Sequence, residues 1–286
     1  MRLLTSAKIN LNLKVSEQQN SGLHFLDSEM IPIDIYDVIS ISEADEDKID
    51  FSIDQLNNEF TTVHKALALL RKVNSNFKQQ FVISVEKNIP LQSGLGGGSS
   101  DAGALLKYLV DTYHLEEPSM LAIATEVGSD VPFFYNGTSS KVQGIGDVLL
   151  PFNSEALNNV EVILAVPKIQ LSTGAVFNKF DQLETKATQK HDFNNIEIFN
   201  DLWDASSGLS KDLMKIKNEL ENVFQNKFFM SGSGPTLFSL FESKVENNFT
   251  NYSNNDLRFF KVCKKIECSL SQIGDWNNKT NLWGMV

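Results

Sequence analysis

Cysteine is nearly missing from this chain: Cys263 and Cys268 are the two in 286 residues. One pair near the end supplies neither a disulfide framework nor the two ligand pairs of a zinc site. No apolar run approaches the roughly 20 residues of a membrane-spanning helix. The opening "MRLLTSAKINLNLKV" lacks the apolar core and small-residue cleavage pattern of a secretory leader. Positive charge is also scarce, since 25 Lys and Arg against 36 Asp and Glu leave a net charge of −11. Proteins that hold nucleic acid carry a basic footprint, so a long polyanionic partner is excluded. The expectation is a reduced, soluble, cytoplasmic protein with neither a nucleic-acid nor a membrane partner.

What is present is ordinary globular material. Apolar residues make up 42% and charged residues 21% of the chain, which argues against disorder. The length exceeds one mid-sized core, so two lobes are expected. Ala7, Ile9, Leu11, Leu13 and Val15 alternate with Lys8, Asn10, Asn12 and Lys14, the period-two pattern of a half-buried strand. "YDVISISEADEDKIDFSI" reads as two more strands around an acidic turn, and "VHKALALLRKV" as a helix with Val63, Ala66, Leu67 and Leu70 inward. "PSMLAIATEV" is a second helix between Pro118 and Gly128, and "SSKVQGIGDVLLPF" a hairpin turning at Gly144 and Gly146.

After a turn-rich stretch at residues 151–159, "VEVILAVP" reads as an alternating strand and Thr173 as the cap of a short helix. "KATQKHDFNN" reads as a surface loop, "LMKIKNELENVF" as an amphipathic helix, and "FFMSGSGPTLFSLF" as two strands hinged on Gly232, Ser233 and Gly234. Strands and helices alternate without a strict βαβ rhythm, which makes the fold class α+β.

Against this background "NIPLQSGLGGGSSDAG" is unusual, because Asn88 to Gly103 holds five of the 16 glycines. It lies between the strand "FVISVEK" and a helix expected to begin near Ser99 or Ser100, with Ala102, Leu105, Leu106, Leu109 and Val110 at helical intervals. Strand, glycines and helix start together form a site for a small anion. The first helical turn has N–H groups without partners, and glycine lets phosphate approach them. Such a site needs no positive net charge. A Walker A loop is ruled out because no lysine follows the glycines, and the dinucleotide fingerprint fails at Ser99, where its third glycine belongs.

The spacing that fits is P-x-x-x-G-L-G-G-G-S-S-D, from Pro90 to Asp101. It resembles the phosphate-binding loop of the superfamily named for galactokinase, homoserine kinase, mevalonate kinase and phosphomevalonate kinase (GHMP). Within that superfamily the chain most resembles the 4-diphosphocytidyl-2-C-methyl-D-erythritol kinase family. "SAKINLNLKV" is similar to that family's opening strand, "SGLHFLDSEM" to its Gly-Tyr-His segment and "VGSDVPFF" to its Gly-Ala-Asp-Val-Pro segment. "LSTGAVF", "NDLW" and "MSGSGPTLF" follow in the family's order, so the resemblance runs from about residue 5 to about residue 241. The chain departs from the pattern at Leu23, Thr61-Thr62, Gln92 and Ser129.

The resemblance implies a two-lobed fold: an N-terminal ATP-binding lobe over 1–155, of the ribosomal protein S5 domain 2-like type, and a ferredoxin-like α/β lobe over 156–286. It implies an active site in the cleft between them and transfer of the ATP γ-phosphoryl group to a hydroxyl of a cytidine diphosphate-linked methylerythritol. Pro90, Leu91, Gln92, Ser93, Gly94, Leu95, Gly96, Gly97, Gly98, Ser99 and Ser100 would cradle ATP. Asp130 would take the hydroxyl proton, and Lys8 would neutralise developing charge. Asn10, His24, Thr173 and Phe177 would bind the acceptor, with His24 on the cytosine. Mg²⁺ is implied with no protein ligand assigned, and the enzyme would be a monomer or weak dimer.

Taken singly, each of these residues has a plainer reading: Asp130 as a turn residue, Lys8 as a solvated strand lysine, His24 as a surface histidine, Phe177 as core. Their joint order is what lifts them. Two rival readings stay open at this point, a different kinase of the same superfamily (mevalonate-type or homoserine kinase) and a nucleotide-binding regulator without catalysis. His24 bears on the first, because only a cytidine-bearing acceptor gives it a partner. The joint presence of Lys8 and Asp130 argues against the second.

Overall fold

The structure, a computed structural model, describes residues 1–19, 22–115, 120–184, 188–242 and 257–263. The chain forms two compact units, each assembled from separated pieces of sequence. The first holds Met1–Ile9, Lys14–Leu91 and Leu95–Asn153, and the second holds Asn10–Leu13, Gln92–Gly94 and the chain from Ser154 on.

The first unit is built on β3 (His24–Ala44), a strand of 21 residues. Its second half pairs antiparallel with β5 (Gln80–Glu86), and β5 pairs parallel with β4 (Lys48–Phe51). Its first half pairs with β6 (Ser140–Gly144), which turns back into β7 (Val148–Pro151) as the glycine spacing predicts. Strand β1 (Arg2–Asn10) and the Lys14–Gln18 part of β2 (Asn12–Gln18) also pair with β3.

The run Ala7–Val15 is therefore two strands broken at Leu11, not one. Its polar residues Lys8, Asn10 and Asn12 are not on a solvated face, being 2%, 2% and 8% exposed, whereas Lys14 is exposed. Both sides are covered from Ala7 to Leu13, so alternation there sorts two kinds of burial.

Helix α1 (Thr62–Val73) buries Val63, Ala66, Leu67 and Leu70, the predicted stripe. It packs with α2 (Gly97–Tyr113) and α3 (Met120–Val127) over Phe81, Ile83 and Val85 of β5. Helix α2 begins two residues before Ser99, since Gly97 and Gly98 already have helical backbone. Pro118 lies outside the described residues. A short α4 (Val131–Asn136), which the periodicity did not reveal, follows Asp130 and has Pro132 in its first turn.

In the second unit, β8 (Glu161–Pro167) is buried at every residue, so the alternating half-buried strand read from the sequence is corrected. The cause is its central place in the sheet β11-β12-β8-β13, between β12 (Leu237–Phe241) and β13 (Leu257–Cys263), with β11 (Phe229–Met230) beyond β12. Helices α5 (Thr173–Asp181), α6 (Trp203–Leu209) and α7 (Lys211–Phe224) complete this unit, α6 being unforeseen.

Ser172, not Thr173, caps α5, accepting the Ala175 N–H at 3.1 Å. The expected surface loop "KATQKHDFNN" holds β9 (His191–Phe193) and the turn that joins it in a hairpin to β10 (Ile196–Asn200). Asn194 and Asn195 take the left-handed backbone that its two-residue turn requires. Lys186 and Ala187 of that stretch, and Cys268, lie outside the described residues.

Gly103 marks a close contact of α2 with α4. A Cβ there would stand 2.7 Å from Phe134 Cβ and 2.8 Å from the Tyr135 nitrogen. Overpacking of this kind costs about 1–3 kcal/mol, so Gly103→Ala is expected to lower the unfolding free energy by that amount, read from urea denaturation followed by circular dichroism.

Candidate functional site

The site is built from the exit of β5 onward. Lys87, at that exit, points inward and is bonded through its ammonium to Asp37 and, at 2.6 Å, to Asp101. The three side chains are at most 2% exposed. Asp37 Oδ1 also accepts the N–H groups of Asn88 and Ile89, at 2.5 and 2.8 Å. Thr5 Oγ1 donates to Asp101 Oδ1 at 2.7 Å. Burial pushes the Asp101 carboxyl up to about 6, with the Lys87 ammonium pulling against it and the Asp37 charge adding to it. Burial would by itself depress Lys87, but the charges of Asp101 and Asp37 outweigh it and hold its pKa above the usual lysine value.

Beyond Ile89 the chain enters the glycine loop. Gly94 and Gly96 have φ of +79° and +77°, the left-handed region that L side chains avoid. Each also lies against a neighbour. A Cβ on Gly94 would be 2.4 Å from the Ser231 carbonyl oxygen, and one on Gly96 would be 2.8 Å from the Phe134 ring. Gln92 shares the left-handed backbone, at φ +52°, although it carries a side chain. Gly97 then opens α2, whose first-turn N–H groups have no acceptor within the helix. Thr62 Oγ1 donates to the Gly98 carbonyl at 2.6 Å, and Thr61 caps α1 together with His64, so the Thr61-Thr62 departure has a structural use here.

Lys8 meets this loop with its backbone, donating its N–H to the Leu95 carbonyl at 3.0 Å. Its ammonium lies 3.4 Å from Asp130 Oδ2, and the two side chains are 3% and 27% exposed. Asp130 occupies the junction of α3 and α4, where Val131 N–H bonds Gly128 and Phe134 N–H bonds the Asp130 carbonyl. Lys65 Nζ donates to the carbonyls of Glu126 and Val127 at 2.5 and 3.4 Å, favourable cation placement at the end of α3. One residue thus links the loop to a partly exposed carboxylate within a single unit.

In the second unit, Ser231 Oγ accepts the Asn10 N–H at 3.3 Å and donates to the Gly94 carbonyl at 3.2 Å. The Asn200 amide donates to the carbonyls of Met230 and Gly232, at 2.7 and 2.8 Å. Ser206 Oγ reaches the Ser233 carbonyl, and Thr173 Oγ1 is 3.0 Å from Ser233 Oγ. Phe177 follows Thr173 by one turn of α5. His24, at the start of β3 in the first unit, has its Nδ1 2.8 Å from the Ser16 carbonyl.

The structure thus joins Lys8 with Asp130, Asn10 with Gly94 through Ser231, and Thr173 with the "SGSG" turn. Sequence reasoning missed Asp37, Lys87 and Ser231, and took Asp101 only as a motif letter. The signal for Asp37 and Lys87 is a charge within strand patterns otherwise rich in Ile and Val. Among the described residues, no cluster of three His, Cys, Asp or Glu could hold a metal ion, and no helix is long and apolar enough to cross a membrane.

Comparison with known proteins gives a consistent family. The model of the GHMP kinases N terminal domain matches residues 61–138. The 4-diphosphocytidyl-2-C-methyl-D-erythritol kinase of Caldicellulosiruptor bescii is 31% identical over 260 residues, covering 85% of this chain and 90% of that protein. The kinase of the same name from Clostridioides difficile is 32% identical over 264 residues, covering 86% and 88%. A crystal structure of 4-(cytidine 5'-diphospho)-2C-methyl-D-erythritol kinase has a TM-score of 0.74 at 23% identity, covering 93% of this chain and 100% of the other. Methanococcus jannaschii mevalonate kinase has a TM-score of 0.60 at 16% identity, covering 93% and 98%, a likeness of fold alone.

The buried charges carry a pH signature. Because the folded-state pKa of Asp101 is above its ordinary 3.8, the folded state binds more protons than the unfolded one between about pH 3.8 and 6. Stability from this group therefore falls as pH rises through that window. Lys87→Met leaves two buried carboxylates facing each other without a counter-charge, a loss of about 3–5 kcal/mol near neutral pH. The loss is expected to shrink at pH 5, where the carboxylate pair takes up a proton. Urea midpoints of wild type and variant at the two pH values test this.

Proposed function

The chain belongs to the 4-diphosphocytidyl-2-C-methyl-D-erythritol kinase family, and we propose from this that it transfers the γ-phosphoryl group of ATP to the 2-hydroxyl of 4-diphosphocytidyl-2-C-methyl-D-erythritol, in the non-mevalonate route to isoprenoid precursors. The observation that carries the reading is Lys8, bonded to the glycine loop through its backbone and 3.4 Å from Asp130 through its ammonium.

Phosphoryl transfer depends mainly on positioning and on stabilising charge. The first-turn amides of α2 and the Pro90–Ser100 loop hold the polyphosphate, with the Ser99 hydroxyl nearby; the buried Ser100 hydroxyl donates instead to the Ser6 carbonyl, at 2.6 Å. Asp130 Oδ2 takes the proton of the attacking hydroxyl. Lys8 stays against that carboxylate and offsets negative charge as it develops. Asn10, Thr173 and Phe177 orient the acceptor, and His24 contacts its cytosine ring.

The N-terminal ATP-binding GHMP kinase domain is 1–155 and the C-terminal GHMP kinase domain 156–286. Mg²⁺ bound to the nucleotide supplies further charge neutralisation. It is commonly held by phosphates, waters and one or two carboxylates, and no protein ligand is assigned to it. The enzyme works in the cytoplasm as a monomer or weak dimer.

Asp130→Asn is expected to lower kcat about 10²–10⁴-fold, the usual contribution of a positioned base, while leaving affinity for an ATP analogue within about two-fold. A coupled ADP-release assay offering the cytidyl acceptor and mevalonate separately checks the substrate. Turnover on mevalonate alone would overturn the acceptor assignment, and unchanged turnover in Asp130→Asn would remove the base.

A further inference from the structure

Three buried charges near the glycine loop take no part in the chemistry just described. Lys87, Asp37 and Asp101 have side-chain exposures of 2%, 0% and 1%. Charges this deep are a poor route to stability, since well-packed apolar residues of similar volume commonly do as well or better. What apolar residues cannot supply is direction. An ammonium between two carboxylates fixes the elements that carry them in register, provided the hydrogen bonds are complete.

The elements fixed here are the two ends of one loop. Asp37 Oδ1 takes the Asn88 and Ile89 N–H groups, so it anchors the chain where it leaves β5, just ahead of Pro90. Asp101 belongs to the start of α2 and is held by the same ammonium at 2.6 Å. Lys87 and Asp101 are 14 residues apart, and the whole Pro90–Ser100 loop lies between them in sequence.

Two further contacts tighten the arrangement. A Cβ on Gly97 would stand 3.1 Å from Ile89 Cβ and 3.3 Å from Asp37 Oδ2, so the first residue of α2 rests on both. Thr5, bonded to Asp101 at 2.7 Å, lies on β1 three residues before Lys8. The cluster therefore reaches the loop entrance, the start of the phosphate-binding helix and the strand that carries Lys8.

We infer that Asp37, Lys87 and Asp101 are positioning residues for ATP, a buried clamp that sets the geometry of the phosphate-binding loop from both ends. The inference rests on the loop being the nucleotide site. The clamp touches no substrate and acts through the amides it aligns, so its loss is felt in nucleotide affinity before it is felt in acceptor affinity.

Two conservative variants of the full-length chain test it. Asp37→Asn keeps an oxygen for the Asn88 and Ile89 amides but offers an NH₂ group to the Lys87 ammonium. Thr5→Val keeps the volume and removes one hydrogen bond to Asp101. Fluorescence titration with mant-ATP, alongside steady-state kinetics, is expected to show Kd and KM for nucleotide rising together. The expected rise is about ten-fold in Asp37→Asn and about three-fold in Thr5→Val, the scale of one hydrogen bond, with KM for the acceptor unchanged. If Asp37→Asn does not fold, Thr5→Val decides alone. Wild-type mant-ATP affinity in the folded variants, or an equal rise in both KM values, would make the cluster a stability feature only and overturn the inference. A wild type that does not bind mant-ATP would instead bring down the nucleotide assignment, and the clamp with it.

Discussion

The ammonium of Lys87 is the point on which the candidate site depends. It is enclosed by Asp37 and Asp101, and no solvent screens the three charges from one another. The attraction of the ammonium for both carboxylates is therefore strong enough to offset their repulsion, but only in one geometry. That geometry places the exit of β5 beside the start of α2. A glycine-rich segment left to itself is among the most costly to order. Here its two ends are set by a charge cluster in the core, and its turns by close neighbours such as Phe134 at Gly96.

On the proposed reading, the same arrangement lets a protein with a net charge of −11 hold a polyanion. The donors are backbone amides at a helix start, which carry no net charge and are oriented by the fold. Positive charge is spent sparingly and deep inside. Lys8 and Lys87, each with a side chain no more than 3% exposed, face carboxylates within the first unit. Surface acidity and local anion binding are thus independent properties of this chain.

Much of this was legible in the sequence. The spacing of Val63, Ala66, Leu67 and Leu70 gave α1 its buried face, Gly144 and Gly146 gave the β6–β7 turn, and the Pro90–Asp101 motif gave the loop. What could not be read was burial decided by distant partners. Lys8 and Asn10 alternate with apolar residues as a solvated face would, yet they are covered, Asn10 by a serine 221 residues away. Lys87 meets Asp37 across 50 residues, and nothing local marks either as part of a pair. Strand β8 looked half-exposed because its outer neighbour β13 is drawn from residues 257–263.

The pairing of Asn12 and Leu13 with Phe199 and Asn200 of β10 has a bearing on how the chain is made. The partners Asn12 and Phe199 are 199 − 12 = 187 positions apart. At ribosomal speeds of about 5–20 residues per second, this stretch waits roughly 10–40 s for its parallel neighbour. Over that interval the Leu11 and Leu13 carbonyls, which accept from Phe199 and Asp201 in the fold, are open to any edge strand that passes, including those of a neighbouring nascent chain. The parallel pairing at Asn12 and Leu13 is thus completed only after a long stretch of downstream chain has been made.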